Sequence, residues 1–461
     1  MKMTKKCLTA CLVILLSIIN LKVFSQNPIL KGFADPALTV HEGRVYMLVG
    51  KDKGPTEKNF IMPYWAIYSS SDLTNWKEEC IIDPKDTYLG AGYQYCWAGD
   101  IVFKNGKVYV YFSEHGEASG VVVADKPSGP FVDVLKKSLL PKEMSINKEY
   151  DPTVFTDDDG SNYLIFGRDG RLGNNLLHYQ IAKLSKDMTS LAEKSHDLIT
   201  SKPNGFGTIQ LKDKKDGTGV DSVFIAQDHQ YFHKYNGVYY LGRDVSYETS
   251  TNILGPYTNR RTVGKNAGHA SYNEFNGQTY HAWEFTCEPY GNRVYRQVMM
   301  TYLHYKDNGD MISDANFIQA GKYFATGVGN YSAKWDKIEA EWYFKKSEKA
   351  VKRESPNGGF EIQNLTNNAE LHFPSIKDLP ANATINFSVS STGNKGKIEI
   401  HEGSSTGKLI GTCTISNTGS LKTYQTISCK LKNARGTNSL YFVFKVENKE
   451  FARLDWFNFS N

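Results

Sequence analysis

Four aspartates and one histidine occupy equivalent places in five similar stretches of the chain. Each precedes a glycine that lies between two strand-like runs, at an offset of 6 to 9 residues. The five polar residues are Asp35, Asp100, Asp151, Asp228 and His269. Carboxylates and imidazoles that meet in one pocket can exchange protons with a substrate. The pattern therefore predicts a chemical site, provided that the fold brings these residues together.

The five glycines mark predicted β-hairpins. Each begins the pattern Gly-x-x-Tyr followed by apolar residues, at Gly43, Gly106, Gly160, Gly237 and Gly277. A unit of strands and glycine turns that recurs every 40 to 77 residues is typical of a β-propeller, here with five blades. The innermost strand of each blade lines the central axis, so we expect the five polar residues to converge at one end of it.

The C-terminal part has a different pattern. Residues 338–461 show short alternating strands, as in Thr384–Val389, between Gly/Asn turns. This pattern is typical of a jelly-roll β-sandwich. The sequence therefore predicts an all-β protein with a five-bladed β-propeller at 26–332 and a β-sandwich at 333–461. Residues 195–222, which are polar and rich in Gly and Lys, are predicted to form an exposed excursion before a fourth blade at Phe224–Tyr240.

Residues 1–25 are predicted to be a cleaved secretory signal peptide. They contain four lysines, no acidic residue and the apolar run Leu8–Ile19. Cys11 precedes most of the apolar run, which argues against a lipoprotein cleavage site at this cysteine. We therefore expect a secreted or periplasmic protein. Without these lysines the net charge falls from +5 to +1, which gives no basis for nucleic-acid binding. No other segment has the length of a membrane span.

Five cysteines follow residue 25, and their spacing does not resemble a zinc site. Cys413 and Cys429 lie in neighbouring strand-like segments and could pair in an oxidising compartment. The odd number leaves at least one of the five cysteines, which include Cys80, Cys96 and Cys287, as a free thiol.

Several short motifs follow one another over residues 27 to about 330. They are Ala34-Asp35-Pro36, Tyr68–Trp76, Trp97-Ala98-Gly99-Asp100, Tyr150–Phe155, Gly268-His269-Ala270-Ser271 and Tyr295-Arg296-Gln297-Val298 ahead of Tyr302–Asn308. Together they resemble glycoside hydrolase family 43, a family of five-bladed propellers that invert configuration and mostly remove arabinofuranose or xylose from plant polysaccharides. The resemblance implies an oligo- or polysaccharide substrate.

Inverting hydrolysis needs one carboxylate that activates water and one carboxyl that protonates the leaving oxygen. By resemblance Asp35 is the general base and Asp151 the carboxylate that raises the pKa of the acid. The acid is normally a Glu, and Asp228 stands at its place, one methylene shorter. The proton could therefore come from Asp228, or from Glu248 or Glu284, or the hydrolytic activity could be lost.

Four further residues are predicted to bind substrate: Trp97, Asp100, His269 and Arg296. Alternatives for three of them stay open at this stage. His269 could instead be held by a backbone carbonyl, or belong to an axial calcium site like those of relatives. Arg296 could form a surface salt bridge, and Trp97 could pack between blades.

The C-terminal domain resembles carbohydrate-binding module family 6. Ile338-Glu339-Ala340-Glu341 and Leu454-Asp455-Trp456-Phe457 carry the match. It implies a structural Ca²⁺ held by Glu339, Glu341 and Asp455, because calcium prefers oxygen ligands. The usual sugar cleft is predicted to be weak, since only Tyr424 remains of its aromatic pair and Arg453 replaces its asparagine.

The resemblance thus implies a secreted glycosidase that acts on terminal arabinofuranose or xylose. A propeller that binds glycans without cleaving them, and an exo-hydrolase of another sugar such as a β-galactoside, are the alternatives. The sequence does not indicate the oligomeric state.

Overall fold

The computed structural model describes residues 27–115, 118–140, 150–167, 169–171, 178–202, 206, 208–213, 220–226, 228–264, 268–286, 292–315, 327–393, 395–447 and 451–461. The predicted signal peptide, 1–25, and Cys287 lie outside these ranges. Within them the chain is built from β-strands, with two short 3₁₀ helices at Pro84–Asp86 and Ala340–Trp342. A search of the same residues finds no helix long and apolar enough to cross a membrane.

Five antiparallel sheets form the blades of the propeller and confirm the predicted fold class. The first two blades contain β2 (Phe33–His41), β3 (Arg44–Lys51), β4 (Trp65–Ser70) and β5 (Lys77–Ile82), then β6 (Cys96–Lys104), β7 (Lys107–Glu114) and β8 (Ala118–Ala124). The third contains β9 (Tyr150–Thr156), β10 (Asn162–Gly167), β12 (Tyr179–Lys183) and β13 (His196–Leu198). The fourth contains β16 (Tyr231–Tyr235), β17 (Val238–Arg243), β18 (Ser246–Ser250) and β19 (Thr258–Thr262).

The fifth blade closes the ring. It contains β20 (Ala270–Phe275), β21 (Gln278–Phe285), β22 (Gln297–Tyr305) and β23 (Met311–Ser313), and β1 (Leu30–Lys31) from the start of the chain pairs with β22. Pairing of the first strand with the last blade joins the two ends of the propeller, so no blade edge is left open there.

The predicted hairpins are present in all five blades. Four of their turns have two successive residues with positive φ, as a type I′ turn requires. These pairs are Glu42–Gly43, Asn105–Gly106, Asn236–Gly237 and Asn276–Gly277. The turns explain why the repeated glycines could be read from the sequence.

The predicted start of the fourth blade at Phe224 was wrong. Phe224 belongs to β15 (Val220–Ala226), which forms a sheet outside the blades with β14 (Thr208–Asp213) and β11 (Asp169–Arg171), and the fourth blade begins at Tyr231. The apolar run of β15 resembles that of a blade strand, so the sequence alone does not separate the two. The excursion predicted at 195–222 contains β14 and the start of β15, between the third and fourth blades, and also β13, which extends the third blade.

Two six-stranded sheets form the C-terminal sandwich. One contains β24 (Asn330–Ser332), β26 (Lys345–Lys346), β29 (Glu370–Leu379), β31 (Gly396–Glu402), β32 (Lys408–Ile415) and β34 (Gly436–Lys445). The other contains β25 (Ile338–Glu339), β27 (Val351–Glu354), β28 (Phe360–Leu365), β30 (Thr384–Ser391), β33 (Gln425–Lys430) and β35 (Ala452–Ser460). A disulfide joins Cys413 to Cys429, which confirms that pairing.

The propeller and the sandwich share one apolar core. The hydroxyls of Tyr302 and Tyr331 lie 3.1 Å apart, and Nε1 of Trp342 donates a hydrogen bond of 2.7 Å to Asp314. β24 pairs with β29 of the sandwich, although it precedes residue 333. The domain boundary at 332/333 stays a prediction.

Candidate active site

Asp35 lies where His269 and Arg296 meet. Its Oδ1 atom is 2.8 Å from Nδ1 of His269 and 3.1 Å from Nη1 of Arg296. Burial opposes a charge on Asp35, but Arg296 and His269 together outweigh it and hold the pKa of Asp35 well below its usual range. Asp35 is therefore ionised at neutral pH, which is the state that a general base requires.

Asp35 and Asp151 share an unusual backbone conformation. Their φ angles are 55° and 48°, at points where β2 and β9 shift register against their partner strands. A proline follows each of them, and because proline has no N–H it interrupts the ladder. Aspartate tolerates the left-handed region better than most residues do. Such bulges re-aim a side chain next to an active site.

Asp228 is surrounded by hydrogen-bond donors and cations. Its Oδ2 lies 3.1 Å from Nη2 of Arg243, and its Oδ1 lies 3.5 Å from Nε2 of His269. The backbone N–H of His229 donates to the same Oδ1 over 3.0 Å. Burial opposes the charge, but His269 and then Arg243 hold the pKa of Asp228 well below its usual range. The side chain is 32% exposed, so Asp228 faces the opening of the site.

Asp151 has the opposite electrostatic environment. It is 2% exposed, and burial, followed by the negative charge of Asp228, raises its pKa well above the usual range. Of these two carboxyls, Asp151 is therefore the one whose neutral form is favoured.

His229 and His269 stack with their ring centroids 4.8 Å apart, but they differ in charge. Nε2 of His229 lies 3.0 Å from the carbonyl oxygen of Ala270; a carbonyl only accepts, so this nitrogen carries the hydrogen. Burial and the charge of His269 lower the pKa of His229 to about 4. Burial also opposes a charge on His269, but the surrounding carboxylates, Glu284 first, raise its pKa well above the usual range.

Asp100 lies deeper along the axis. It lines a cavity of about 340 Å³ that is bounded by the inner strands of all five blades. Its two oxygens accept backbone hydrogen bonds from Ile101 (2.8 Å) and Val154 (2.7 Å). Burial raises its pKa to about 7. Asp100 thus links the second blade to the third, and its role in substrate binding stays a prediction.

Trp97 belongs to a half-exposed aromatic cluster beside the carboxylates. Its Nε1 donates a hydrogen bond of 3.0 Å to the carbonyl oxygen of Phe60. Its ring centroid lies 5.9 Å from that of Tyr95 and 4.5 Å from that of His115. The ring of Phe60 lies 5.1 Å from the guanidinium carbon of Arg296. Through Phe60, this cluster is continuous with the side chains that contact Asp35.

Two charged residues that sequence analysis did not single out complete the site. Asp52 is fully buried, with Oδ1 2.8 Å from Nη2 of Arg296 and Oδ2 accepting the backbone N–H of Arg296 over 2.6 Å. The other residue is Arg243, described above. Asp52 directly follows β3 and Arg243 ends β17. Antiparallel pairing places the end of a blade's second strand beside the start of its first strand. A charged residue at the end of a second strand could therefore have been predicted to lie beside the strand-start aspartates.

The two alternative proton donors lie in different environments. Glu284, near the end of the second strand of the fifth blade, has Oε2 2.8 Å from Nη1 of Arg296. Burial raises its pKa to about 7, although Arg296 opposes this. Glu248 is buried against Arg260 and Ser201, with contacts of 2.7 and 2.8 Å. It lies in the third strand of its blade, away from the axis, and Glu248 does not fit the role of proton donor.

Two sets of axial side chains among the described residues lie close enough together for one cation: Asp151, His229 and His269, and Asp35, His269 and Glu284. Calcium prefers oxygen ligands, whereas the first set offers two imidazoles. Both sets include His269, whose pKa the surrounding carboxylates raise, so neither offers a full set of oxygen ligands. The axial calcium stays a prediction.

The sandwich residues Glu339, Glu341 and Asp455 are not among the groups of described residues whose ligand atoms all lie close enough together for one cation, so calcium binding there stays a prediction. Glu341 is buried, and its Oε2 has no hydrogen-bond partner among the described residues. Burial first, and the charge of Glu339 next, raise the pKa of Glu341 well above its usual range, and burial raises the pKa of Asp455. Nζ of Lys337 lies 2.5 Å from Glu339. A buried carboxylate oxygen beside other carboxylates is the donor type that a hard cation requires.

The two residues predicted at the usual sugar cleft of the sandwich contact the same buried carboxylate. The hydroxyl of Tyr424 donates to Oε2 of Glu361, and Nη1 of Arg453 lies 3.2 Å from Oε1 of Glu361. Glu361 is fully buried. The polar atoms of Tyr424 and Arg453 are thus engaged within the domain.

An all-β propeller whose axis brings together three aspartates, one of them with a lowered and another with a raised pKa, has the parts of an acid–base hydrolase. Residues 25–311 match the model of glycosyl hydrolases family 43, and residues 339–461 match carbohydrate binding module (family 6). The chain belongs to glycosyl hydrolases family 43 and is a glycoside hydrolase, which confirms the resemblance found in the sequence.

Curated relatives agree with this membership. An arabinoxylan arabinofuranohydrolase of Bacillus subtilis is 27% identical over 491 residues, which cover 91% of this chain and 89% of the relative. A xylosidase/arabinosidase of Bacteroides ovatus is 28% identical over 327 residues, 61% of this chain and 94% of the relative. The crystal structure of a family 43 arabinoxylan arabinofuranohydrolase from Bacillus subtilis in complex with cellotetraose has a TM-score of 0.52 at 23% identity, covering 94% of this chain and 97% of that chain. The last comparison supports the fold.

Proposed function

We propose that this glycoside hydrolase removes terminal pentose, α-L-arabinofuranose or β-xylose, from the side chains of plant cell-wall polysaccharides with inversion of configuration. The names of the relatives, arabinoxylan arabinofuranohydrolase and xylosidase/arabinosidase, support the choice of sugar. The observation that carries the chemistry is the charge pattern of the axial carboxyls. Ionised Asp35 lies across His269 from Asp228, and burial and the charge of Asp228 raise the pKa of Asp151.

The geometry supports each part of the inverting reaction. Asp35, kept ionised by Arg296, takes a proton from the attacking water, and the pair formed by Asp151 and Asp228 protonates the leaving oxygen. Inverting enzymes space these groups about 6.5–9.5 Å apart to leave room for the water. One imidazole ring, that of His269, separates Asp35 from Asp228, which supports a spacing of that kind. We assign sugar contact to His269, Arg296 and Trp97.

Two further parts of the proposal concern the whole chain. We propose that the signal peptide at 1–25 directs export, which suits a polymeric substrate outside the cell. We also propose that Glu339, Glu341 and Asp455 hold a structural calcium in the sandwich, where it would neutralise carboxylates that burial otherwise disfavours.

The test is hydrolysis of aryl α-L-arabinofuranoside, aryl β-xyloside and aryl β-galactoside from about pH 4 to 8, with the anomer of the first product followed by proton NMR. We expect release of a pentose as the inverted anomer and loss of activity in Asp35→Asn. Asp86→Asn, at an exposed position, is the control and should match the wild type. Release of galactose alone would overturn the choice of sugar, and a retained anomer would overturn inversion.

A further inference from the structure

Arg296 uses all of its side-chain N–H groups inside the protein. A guanidinium group carries five of them. Nε and Nη2 lie 3.2 and 2.8 Å from the two oxygens of Asp52, and Nη2 also lies 2.9 Å from Sδ of Met62. Nη1 donates to Oδ1 of Asp35 over 3.1 Å and to Oε2 of Glu284 over 2.8 Å. A sugar hydroxyl can therefore accept a hydrogen bond from Arg296 only if one of these five contacts opens.

Among the described residues, Arg296 has four hydrogen-bonding partners, and three of them are closed to a ligand. Asp52 and Met62 are fully buried, and Asp52 also accepts the backbone N–H of Arg296 over 2.6 Å. The side chain of Asp35 is 3% exposed, and its contact with Arg296 keeps the base ionised. The side chain of Glu284 is 12% exposed and contacts the guanidinium through Oε2. The contact between Nη1 and Glu284 is thus the one that a ligand can replace.

Glu284 lies beside the base of the reaction. Carboxylate oxygens of Asp35 and Glu284 and a ring nitrogen of His269 all lie within 4.8 Å of one another. The backbone N–H of Glu284 donates to the carbonyl oxygen of His269 over 3.2 Å, which holds this end of β21 in place. Gly268 leaves room for the side chain, because a Cβ atom at this position would lie 3.3 Å from Cγ of Glu284. A sugar hydroxyl held at Glu284 is therefore next to the point where Asp35 activates water.

A hydroxyl group can replace the direct contact between Arg296 and Glu284. It accepts one hydrogen bond and donates another. Inserted between Nη1 of Arg296 and Oε2 of Glu284, it accepts from the guanidinium and donates to the carboxyl oxygen, so neither side chain loses a partner. Hydrogen bonds with a charged partner are stronger than those between neutral groups, so the two new bonds compensate for the direct contact of 2.8 Å.

We infer that Glu284 is a specificity-determining residue of this glycosidase: its contact with Arg296 opens to admit one hydroxyl of the pentose, and both side chains then bind that hydroxyl. The inference rests on the proposed function and gives Glu284 a role other than the proton donor that the sequence left open. A sugar that lacks this hydroxyl, or presents it in another direction, leaves the site without that pair of hydrogen bonds. Sites built to hydrogen-bond a substrate hydroxyl reject such analogues strongly.

The first experiment is a double-substitution cycle. The substrates are an aryl α-L-arabinofuranoside and an aryl β-xyloside, each compared with analogues that lack one sugar hydroxyl. On the pentose that the wild type hydrolyses, we expect one analogue to lose about 10–10²-fold in kcat/KM, as for a hydrogen bond to a charged group. Glu284→Ala should lose a similar factor on the full sugar and little more on that analogue, because the contact is already absent. Losses that add for every analogue would overturn the inference.

The leaving group separates sugar binding from proton donation. A proton donor matters for a poor leaving group and little for a good one. Glu284→Ala should therefore lose the same factor on dinitrophenyl and methylumbelliferyl pentosides. A loss confined to the methylumbelliferyl substrate would identify Glu284 as a proton donor and overturn the inference.

Three further variants complete the test. Glu284→Gln keeps an acceptor oxygen, so it should retain most of the selection for the hydroxyl, and a loss as complete as in Glu284→Ala would overturn the inference. Glu284→Leu fills the same space without an acceptor and takes the place of Glu284→Ala if that variant does not fold. Glu274→Ala, at an exposed position of the same blade, should match the wild type. A wild type that hydrolyses neither pentoside rejects the proposed function, whereas an active wild type with additive losses rejects this inference alone.

Discussion

Nη1 of Arg296 lies 3.1 Å from Oδ1 of Asp35 and 2.8 Å from Oε2 of Glu284. One guanidinium thus contacts two carboxyls whose pKa values move in opposite directions. The pKa of Asp35 lies well below its usual range, whereas burial raises that of Glu284 to about 7. The same guanidinium is anchored from behind by Asp52, 2.8 Å away. Arg296 lowers the pKa of both carboxyls, and burial together with the charge of Asp35 leaves that of Glu284 raised.

Replacing Arg296 should change both rate and pH dependence. In Arg296→Gln the pKa of Asp35 should rise, so the acid limb of the kcat/KM profile should move to higher pH, with a loss of at least about 10²-fold at pH 6. Arg293→Gln is the matched control, because Arg293 contacts the ring of Phe60 at the same 5.1 Å but is exposed. An acid limb that stays in place in Arg296→Gln would show that another group sets the charge of Asp35.

Removing the anchor of Arg296 should cost stability. Asp52→Asn removes one of the three carboxyls that contact the buried guanidinium of Arg296, and breaking a buried ion pair from one side costs up to about 3–5 kcal/mol. Denaturant unfolding followed by tryptophan fluorescence measures the loss. The exposed pair of Lys85 and Asp86 gives the comparison: Asp86→Asn should change the free energy of unfolding by less than about 0.5 kcal/mol. Equal effects of the two substitutions would contradict the buried role of Asp52.

The calcium proposed for the sandwich can be tested by its removal. A cation that binds only the folded domain raises its stability, so EDTA should lower the unfolding midpoint of the wild type and added calcium should restore it. In Glu341→Gln the midpoint should respond little to EDTA, because the buried oxygen of Glu341 that lacks a partner is then a weaker ligand. Glu348→Gln, at an exposed position, should respond as the wild type does. A wild-type midpoint that does not respond to EDTA would reject this site.

The sequence predicted the fold well because its repeated turns are local. Pairs such as Asn236–Gly237 need positive φ, and only a few residue types supply it. The inner-strand positions of Asp35 and Asp151 followed from those turns. The start of the fourth blade did not, because the apolar run of β15 around Phe224 resembles a blade strand although it pairs with β14.

Asp52 and Arg243 were missed for a different reason. Asp52 contacts Arg296, which lies 244 residues later in the chain. Arg243, at the end of β17, contacts Asp228, which precedes β16. A single sequence shows which residues can carry charge but not which charges meet. The pKa shifts of Asp151 and Asp228 depend on such contacts, so their directions could not be read from the chain.

The disulfide between Cys413 and Cys429 should stabilise the sandwich. It closes a loop with a sequence separation of 16, and closing a loop of about 15 residues is worth about 3 kcal/mol in the chain-entropy description. The double variant Cys413→Ala/Cys429→Ala should lose an amount of that order in denaturant unfolding. Cys80→Ala, at a half-buried free thiol, should lose less. Reduction of the wild type should reproduce the double variant, and no change on reduction would contradict the role of the disulfide.

His281 should make the protein sensitive to acid. It is fully buried, its Nδ1 lies 2.7 Å from Oγ of Ser313, and burial lowers its pKa to about 3. An unfolded histidine has a pKa of about 6.5, so between pH 6.5 and 3 the unfolded chain binds a proton that the folded chain does not. The free energy of unfolding therefore falls as the pH drops through this window, by about 2 kcal/mol between pH 6.5 and 5 from this one residue.

Subtracting the pH dependence of His281→Gln from that of the wild type isolates this contribution from the carboxyls, which titrate in the same range. His196→Gln, at a half-exposed position, should leave the wild-type slope in place, and a slope in His281→Gln equal to that of the wild type would show that His281 takes up its proton without unfolding.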